Sequence, residues 1–153
     1  VTGSDMVIAF ASDHGGYELK KSLMEYAEGI GHTVVDYGTH DKESCDYPDF
    51  GYMAAKSVAD GVSDTGVVVC TTGIGMSIVA NKVKGVRCAL CRDEKDAEMT
   101  RRHNNSNVLA LGQAATGEEE AKRIMSRFLG TEFEGGRHER RVDKISDIER
   151  KER

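Results

Sequence analysis

Residues 66–83 read GVVVCTTGIGMSIVANKV, and the fold follows from how this stretch divides. Gly66 to Cys70 is a short, unbroken apolar run rich in valine, the pattern of a strand buried on both faces. Thr71-Thr72-Gly73-Ile74-Gly75 is a glycine turn, and Met76 to Val83 has helical character. Strand, glycine loop and helix in that order form the leading part of a βαβ unit, since parallel strands need a crossover.

The same alternation extends in both directions. Upstream, Met6 to Ala11 (MVIAFA) is an apolar strand, and Ser12-Asp13-His14-Gly15-Gly16 a polar turn. Tyr17, Leu19, Leu23, Met24 and Ala27 then fall near helical spacing, until Gly29 and Gly31 end the helix. His32 to Tyr37 (HTVVDY) is a second short strand, followed by a polar loop through Cys45-Asp46-Tyr47-Pro48 and a helix over Tyr52 to Ala59. Downstream come a strand over Val86 to Cys91 (VRCALC), a helix over Lys95 to His103, a strand over Val108 to Leu111 and a helix over Glu118 to Leu129. After Gly135-Gly136 the charged run RHERRVDKISDIERKER carries Val142, Ile145 and Ile148 at three-residue spacing, a terminal helix with a narrow apolar stripe. The expected architecture is a single three-layer α/β domain over residues 1–153, flavodoxin-like or Rossmann-like, with a five-stranded mainly parallel sheet and a C-terminal helix.

Composition narrows the function classes. The chain has 153 residues, with 21 Lys+Arg against 26 Asp+Glu, a formal net charge of -5. No chain-wide basic field invites nucleic acid or anionic lipid. No apolar run reaches the roughly 18 residues that span a bilayer, and Val1 to Met6 lacks the pattern of a signal peptide, so a cytoplasmic protein is expected. Four irregularly placed cysteines, Cys45, Cys70, Cys88 and Cys91, do not form a disulfide framework and are read as free thiols.

In an open parallel sheet, ligands sit beyond the carboxyl ends of the strands, which selects Asp13-His14 and Cys70 to Gly75 before residue type is considered. A thiol next to a helix N-terminus lies near unpaired N–H groups and the positive end of the helix dipole, which favour a thiolate. The glycine loop offers backbone N–H groups to an anion. It is neither a Walker loop, since no Gly-Lys-Ser/Thr follows, nor a dinucleotide fingerprint, since Ile78 stands at the third glycine position. Met76, six positions after Cys70, excludes the arginine of a cysteine phosphatase loop. Cys88 and Cys91 form a C-x2-C pair, but residues three apart on a strand face opposite ways and no second pair exists, so no metal is expected. His103-Asn104 closes a helix within the polar run RRHNNSN, which holds more hydrogen-bonding groups than a cap requires. On a helix, Arg137 and Arg141 share one face, a geometry suited to a phosphate dianion.

Taken together, SDHGG (12–16), DYPD (46–49), CTTGIGMSIVAN (70–81), Arg102-His103-Asn104 and GGRHERR (135–141) resemble the type B ribose-5-phosphate isomerases, in order, from about Met6 to Ile145. Residues 1–5 and 146–153 then stand as terminal extensions. The resemblance implies a cofactor-independent aldose-ketose isomerase. Cys70 takes the place of the base that moves a proton between C1 and C2 of the sugar. The loop Thr71, Thr72, Gly73, Ile74 and Gly75 supplies N–H groups to the enediolate, with Thr72 counted in the catalytic set. His103 opens the furanose ring and Asn104 binds sugar oxygens. Asp13 and His14 line the sugar site, Arg137 and Arg141 hold the phosphate, and Tyr47 and His138 lie near the substrate. No metal or organic cofactor is implied, and the partner is a second copy, a homodimer with shared active sites; some members are tetramers.

Two positions depart from the family pattern. Thr71 stands where most members have glycine, and Leu111-Gly112-Gln113-Ala114-Ala115 lacks the arginine that many carry in an LGxR stretch. Isomerases of allose 6-phosphate, galactose 6-phosphate and four-carbon sugar phosphates share the superfamily. Outside the enzyme class, the competing expectation is a phosphosugar-binding module without chemistry.

Overall fold

The computed structural model describes residues 5–152; residues 1–4 and 153, within the expected terminal extensions, lie outside the described residues. Five strands, β1 (Val7–Ser12), β2 (Thr33–Asp36), β3 (Thr65–Cys70), β4 (Cys88–Leu90) and β5 (Val108–Gly112), form one sheet. Every pairing is parallel and the spatial order is β2-β1-β3-β5-β4. The helices are α1 (Tyr17–Gly29), α2 (Tyr47–Ala59), α3 (Ile74–Asn81), α4 (Glu94–Met99), α5 (Glu118–Gly130) and α6 (Arg137–Lys151).

The unbroken apolar strands explain the layers. On one sheet face Ile8, Phe10, Val67, Val69, Leu109 and Leu111 pack against Leu23 of α1 and Ile124 and Phe128 of α5. On the other, Ala9, Ala11, Val68 and Ala110 pack against Ala54 and Ala55 of α2 and Met76 and Ala80 of α3. Small residues on the second face let α2 and α3 approach closely. Cys91 and Cys88 fall in opposite layers, as strand geometry requires of residues three apart.

Beside a simple 2-1-3-4-5 arrangement, β4 and β5 exchange places, and β4 becomes the edge. Successive strands are added to one side of β1 and then to the other, and this switch between β1 and β3 opens a crevice at their carboxyl ends, where the first and third βα turns meet. The connection from β4 to β5 has a different consequence: it returns along the sheet to the amino end of β5. The sequence predicts one helix over Lys95–His103 there. Instead α4 stops at Met99 and a π-helical turn, Thr100–Asn104, follows, closed by Asn105 in the left-handed region at φ 48°.

Two other boundaries move. The helix expected from Tyr52 begins at Tyr47, because Pro48 sits in its first turn, where a missing N–H leaves nothing unpaired. The strand expected over Val86–Cys91 shortens to Cys88–Leu90, since Arg87 N–H donates to the Asn107 side chain and not to a ladder. Lys20, wholly buried in α1, fastens the end of β2 by donating to Asp36 Oδ1 at 2.7 Å and the Thr39 carbonyl at 2.6 Å. Removing Asp36 would leave the wholly buried ammonium without its counter-charge, which destabilises the fold.

Candidate active site

The crevice between β1 and β3 is lined by Asp13, His14, Tyr47 and the loop after Cys70. Asp13, buried to 7% exposure, caps the short 3-10 turn His14–Gly16 by accepting the Gly16 N–H at 3.1 Å. His14 is exposed, and its Nδ1 accepts the Cys45 N–H at 3.2 Å. Cys70 closes β3 at 5% exposure, and its Sγ receives the Gly73 N–H at 3.2 Å. Gly73 is required on two counts: its φ is +82°, and a Cβ there would press on the Leu111 and Gly112 backbone. Thr72 Oγ1 accepts the Ile74 N–H at 3.2 Å, so its own O–H remains free to donate. The Tyr47 ring covers Gly75, where any Cβ would meet it. Gly75 N–H belongs to the first turn of α3, whose donors have no partner within the helix. A sulfur nucleophile or base, a buried carboxylate and the backbone N–H groups at the start of α3 are thus assembled at one edge.

His103, Asn104, His138, Arg137 and Arg141 do not reach that edge within one chain. Cys70 pairs with Gly112, the last residue of β5, whereas His103 and Asn104 precede Val108, the first. Arg87, just ahead of β4, donates to the Asn104 and Asn105 carbonyls at 2.9 Å, which fixes the turn at the amino edge. The four residue steps from Val108 to Gly112 make about 13 Å of strand between the groups.

At the amino edge His103 stacks on His138, with centroids 4.1 Å apart and planes 12° apart. His138 is 6% exposed, and its Nε2 lies 3.3 Å from Glu134 Oε1, outside hydrogen-bonding geometry. Burial first, then His103 and Arg137, pushes the His138 imidazole below the ordinary histidine range, so it is neutral at pH 7. Arg137 and Arg141, one helical turn apart at the start of α6, are exposed and form no ion pair among the described residues. The polar run before β5 is mostly committed to structure. Asn104 accepts from Thr100, Asn105 from Arg101, and Asn107 donates to the Gly85 carbonyl. His103, Glu134 and His138 bring ligand atoms within 4.8 Å of one another, the one trio of that kind among the described residues. Arg137 and Arg141 act on the same imidazole, so the local field favours an anion over a cation.

Residues 8–145 match the model of the Ribose/Galactose Isomerase family. The chain belongs to that family. It is therefore an aldose-ketose isomerase in class, and the binding module without chemistry is set aside. The ribose-5-phosphate isomerase B of Clostridium thermocellum superposes with a TM-score of 0.96 at 48% identity, over 97% of this chain and 100% of that one. The ribose-5-phosphate isomerase B of Escherichia coli is 42% identical across 94% of this chain and 97% of its own. A D-erythrulose-4-phosphate isomerase of Pectobacterium atrosepticum is also 42% identical, across 95% and 97%.

Within this isomerase family frame, the two departures have local explanations. Thr71 Oγ1 occupies the space a Cβ on Gly15 would need, so the first and third βα turns interlock through a glycine and a threonine. Gln113 Oε1 accepts the Leu19 N–H at 2.9 Å and thereby serves α1, while Ala114 N–H donates to the Thr71 carbonyl. Sequence reasoning missed Cys45, Lys20 and Glu134. Cys45 and Lys20 give no local signal, because each acts through a contact distant in sequence. Glu134, four residues before His138, could have been found as an i,i+4 pair had the Gly135-Gly136 break not masked it. Among the described residues, no helix is long and apolar enough to cross a membrane.

Proposed function

We propose that this chain interconverts ribose 5-phosphate and ribulose 5-phosphate through an enediolate, without metal or organic cofactor, as a homodimer whose active sites are shared. Cys70, as thiolate, removes the proton from C2 of the open aldose and returns it to C1. The charge left on the oxygens at C1 and C2 is met by N–H groups of the 71–75 loop and the Thr72 hydroxyl, donors fixed before the reaction begins. A base, an anion hole and a ring opener suffice for this proton transfer. Before it, His103 of the second copy takes the proton of the anomeric hydroxyl as the bond from C1 to the ring oxygen breaks, and a proton is returned to that oxygen. Asn104 and His138 belong with His103. Arg137 and Arg141 clamp the phosphate, and Asp13, His14 and Tyr47 orient the sugar.

The observation that carries this reading is the pairing of Cys70 Sγ with the Gly73 N–H in the crevice of an isomerase-family fold. The sharing of sites is supported by the sheet itself, since one chain separates Cys70 from His103 by its full height. Ile74, Ile78, Tyr52 and Met53 on the outer faces of α2 and α3 are exposed, an apolar surface suited to a second copy. A second reading, a four-carbon sugar phosphate, is favoured by the relative that is a D-erythrulose-4-phosphate isomerase. Assay of ribose 5-phosphate, allose 6-phosphate, galactose 6-phosphate and erythrose 4-phosphate separates them. We expect the highest kcat/KM on ribose 5-phosphate; a higher value on the four-carbon substrate moves the assignment to the second reading.

A further inference from the structure

Resting on the ring-opening role proposed for His103, we infer that His138 is the positioning residue for that imidazole: a buried aromatic platform that fixes its orientation. His103 is delivered by a π-helical turn of five residues, and its backbone alone does not define where the ring points. The stack supplies that definition, at 4.1 Å and 12°. His138 is itself held firmly, buried near the start of α6, with Val142 buried one turn further on.

The charges explain why the platform stays neutral. Two imidazolium rings at this separation would repel strongly. His103, Arg137 and Arg141 all oppose a proton on His138, as does its burial, while Glu134 alone pulls the other way and is outweighed. Glu134 is also engaged by Arg102, whose Nη1 lies 3.9 Å from Oε2 and whose carbonyl accepts the Glu134 N–H. Of the stacked pair, His103 is the more exposed ring and the one free to exchange a proton with substrate. A general acid or base needs placement as much as basicity, and a displacement near 1 Å can cost about 10²-fold.

The test compares His138→Phe with His138→Ala in the full-length protein. Two readouts are used: the ratio of kcat/KM on ribose 5-phosphate to that on erythrose 4-phosphate, which cannot close a furanose ring, and the NMR shifts of the His103 ring protons. His138→Ala should lower the ratio by about 10²-fold and move the His103 resonances downfield as the stacked ring is lost. His138→Phe should keep the ratio within about threefold and keep the upfield shifts, because a phenyl ring stacks equally well. If His138→Phe falls as far as His138→Ala, the imidazole acts through its nitrogens, as a substrate ligand, and the platform is wrong. Unchanged His103 resonances in His138→Ala would also overturn it. Should His138→Ala fail to fold, the phenylalanine variant decides alone. His103→Asn, measured beside them, tests the underlying reading separately: if it leaves the ratio unchanged, ring opening is not the role of His103, while the NMR shifts still report whether His138 orients it.

Discussion

Cys70→Ala should lower kcat/KM for ribose 5-phosphate by about 10³- to 10⁴-fold, because the variant loses the base that moves the carbon-bound proton. Affinity for the phosphosugar, measured by calorimetry, should change little. The phosphate is assigned to Arg137 and Arg141, remote from the reacting carbons. Neither cysteine of the C-x2-C pair can substitute. Burial pushes the Cys91 thiol up to about 12 and Cys88 higher still, so neither supplies appreciable thiolate near pH 7. Loss of binding in parallel with turnover would indicate that Cys70 supports the loop and not the chemistry. Turnover near the wild-type level would move the base to another group, and Asp13, buried in the same crevice, is next in line.

The second large effect belongs to His103. His103→Asn removes the proton carrier yet preserves a polar side chain, and should slow ribose 5-phosphate turnover by about 10²- to 10⁴-fold. Erythrose 4-phosphate has no ring to open, so its turnover should fall far less. Steady-state assays on both substrates check this. Equal losses on both would place His103 in the isomerisation step or in the fold.

The parts of this site that sequence reveals are those whose chemistry is local. Strand, polar turn and helix at Met6–Ala27 and at Gly66–Val83 are each complete within about twenty residues, and the rule that ligands gather at carboxyl ends then points to Asp13 and Cys70. The common face of Arg137 and Arg141 was legible because α6 begins at Arg137 and an i,i+4 pair on a helix shares a face; their phosphate role is part of the proposal. The order of β4 and β5 was not legible, since it is decided by packing between segments some twenty residues apart. The π-helical turn at Thr100–Asn104 was hidden for another reason: its residues are compatible with an ordinary helix, and the deviation is set by Thr100, Arg101 and Arg87 binding the run on either side. With those two features unseen, the residues alone assign His103 and Cys70 to one reaction without their separation across the sheet, and only the family resemblance points to a site shared between two copies. The burial of His138 was equally hidden, because its stacking partner lies thirty-five positions earlier.

The claim that the two edges meet across a dimer has a direct measurement: co-expression of Cys70→Ala with His103→Asn, followed by assay of the mixed dimers on ribose 5-phosphate. In a two-fold dimer with shared sites, each mixed molecule contains one site with both residues intact, so random pairing restores about a quarter of wild-type activity. Activity no greater than that of the two variants assayed separately would contradict the shared site and return Cys70 and His103 to independent roles.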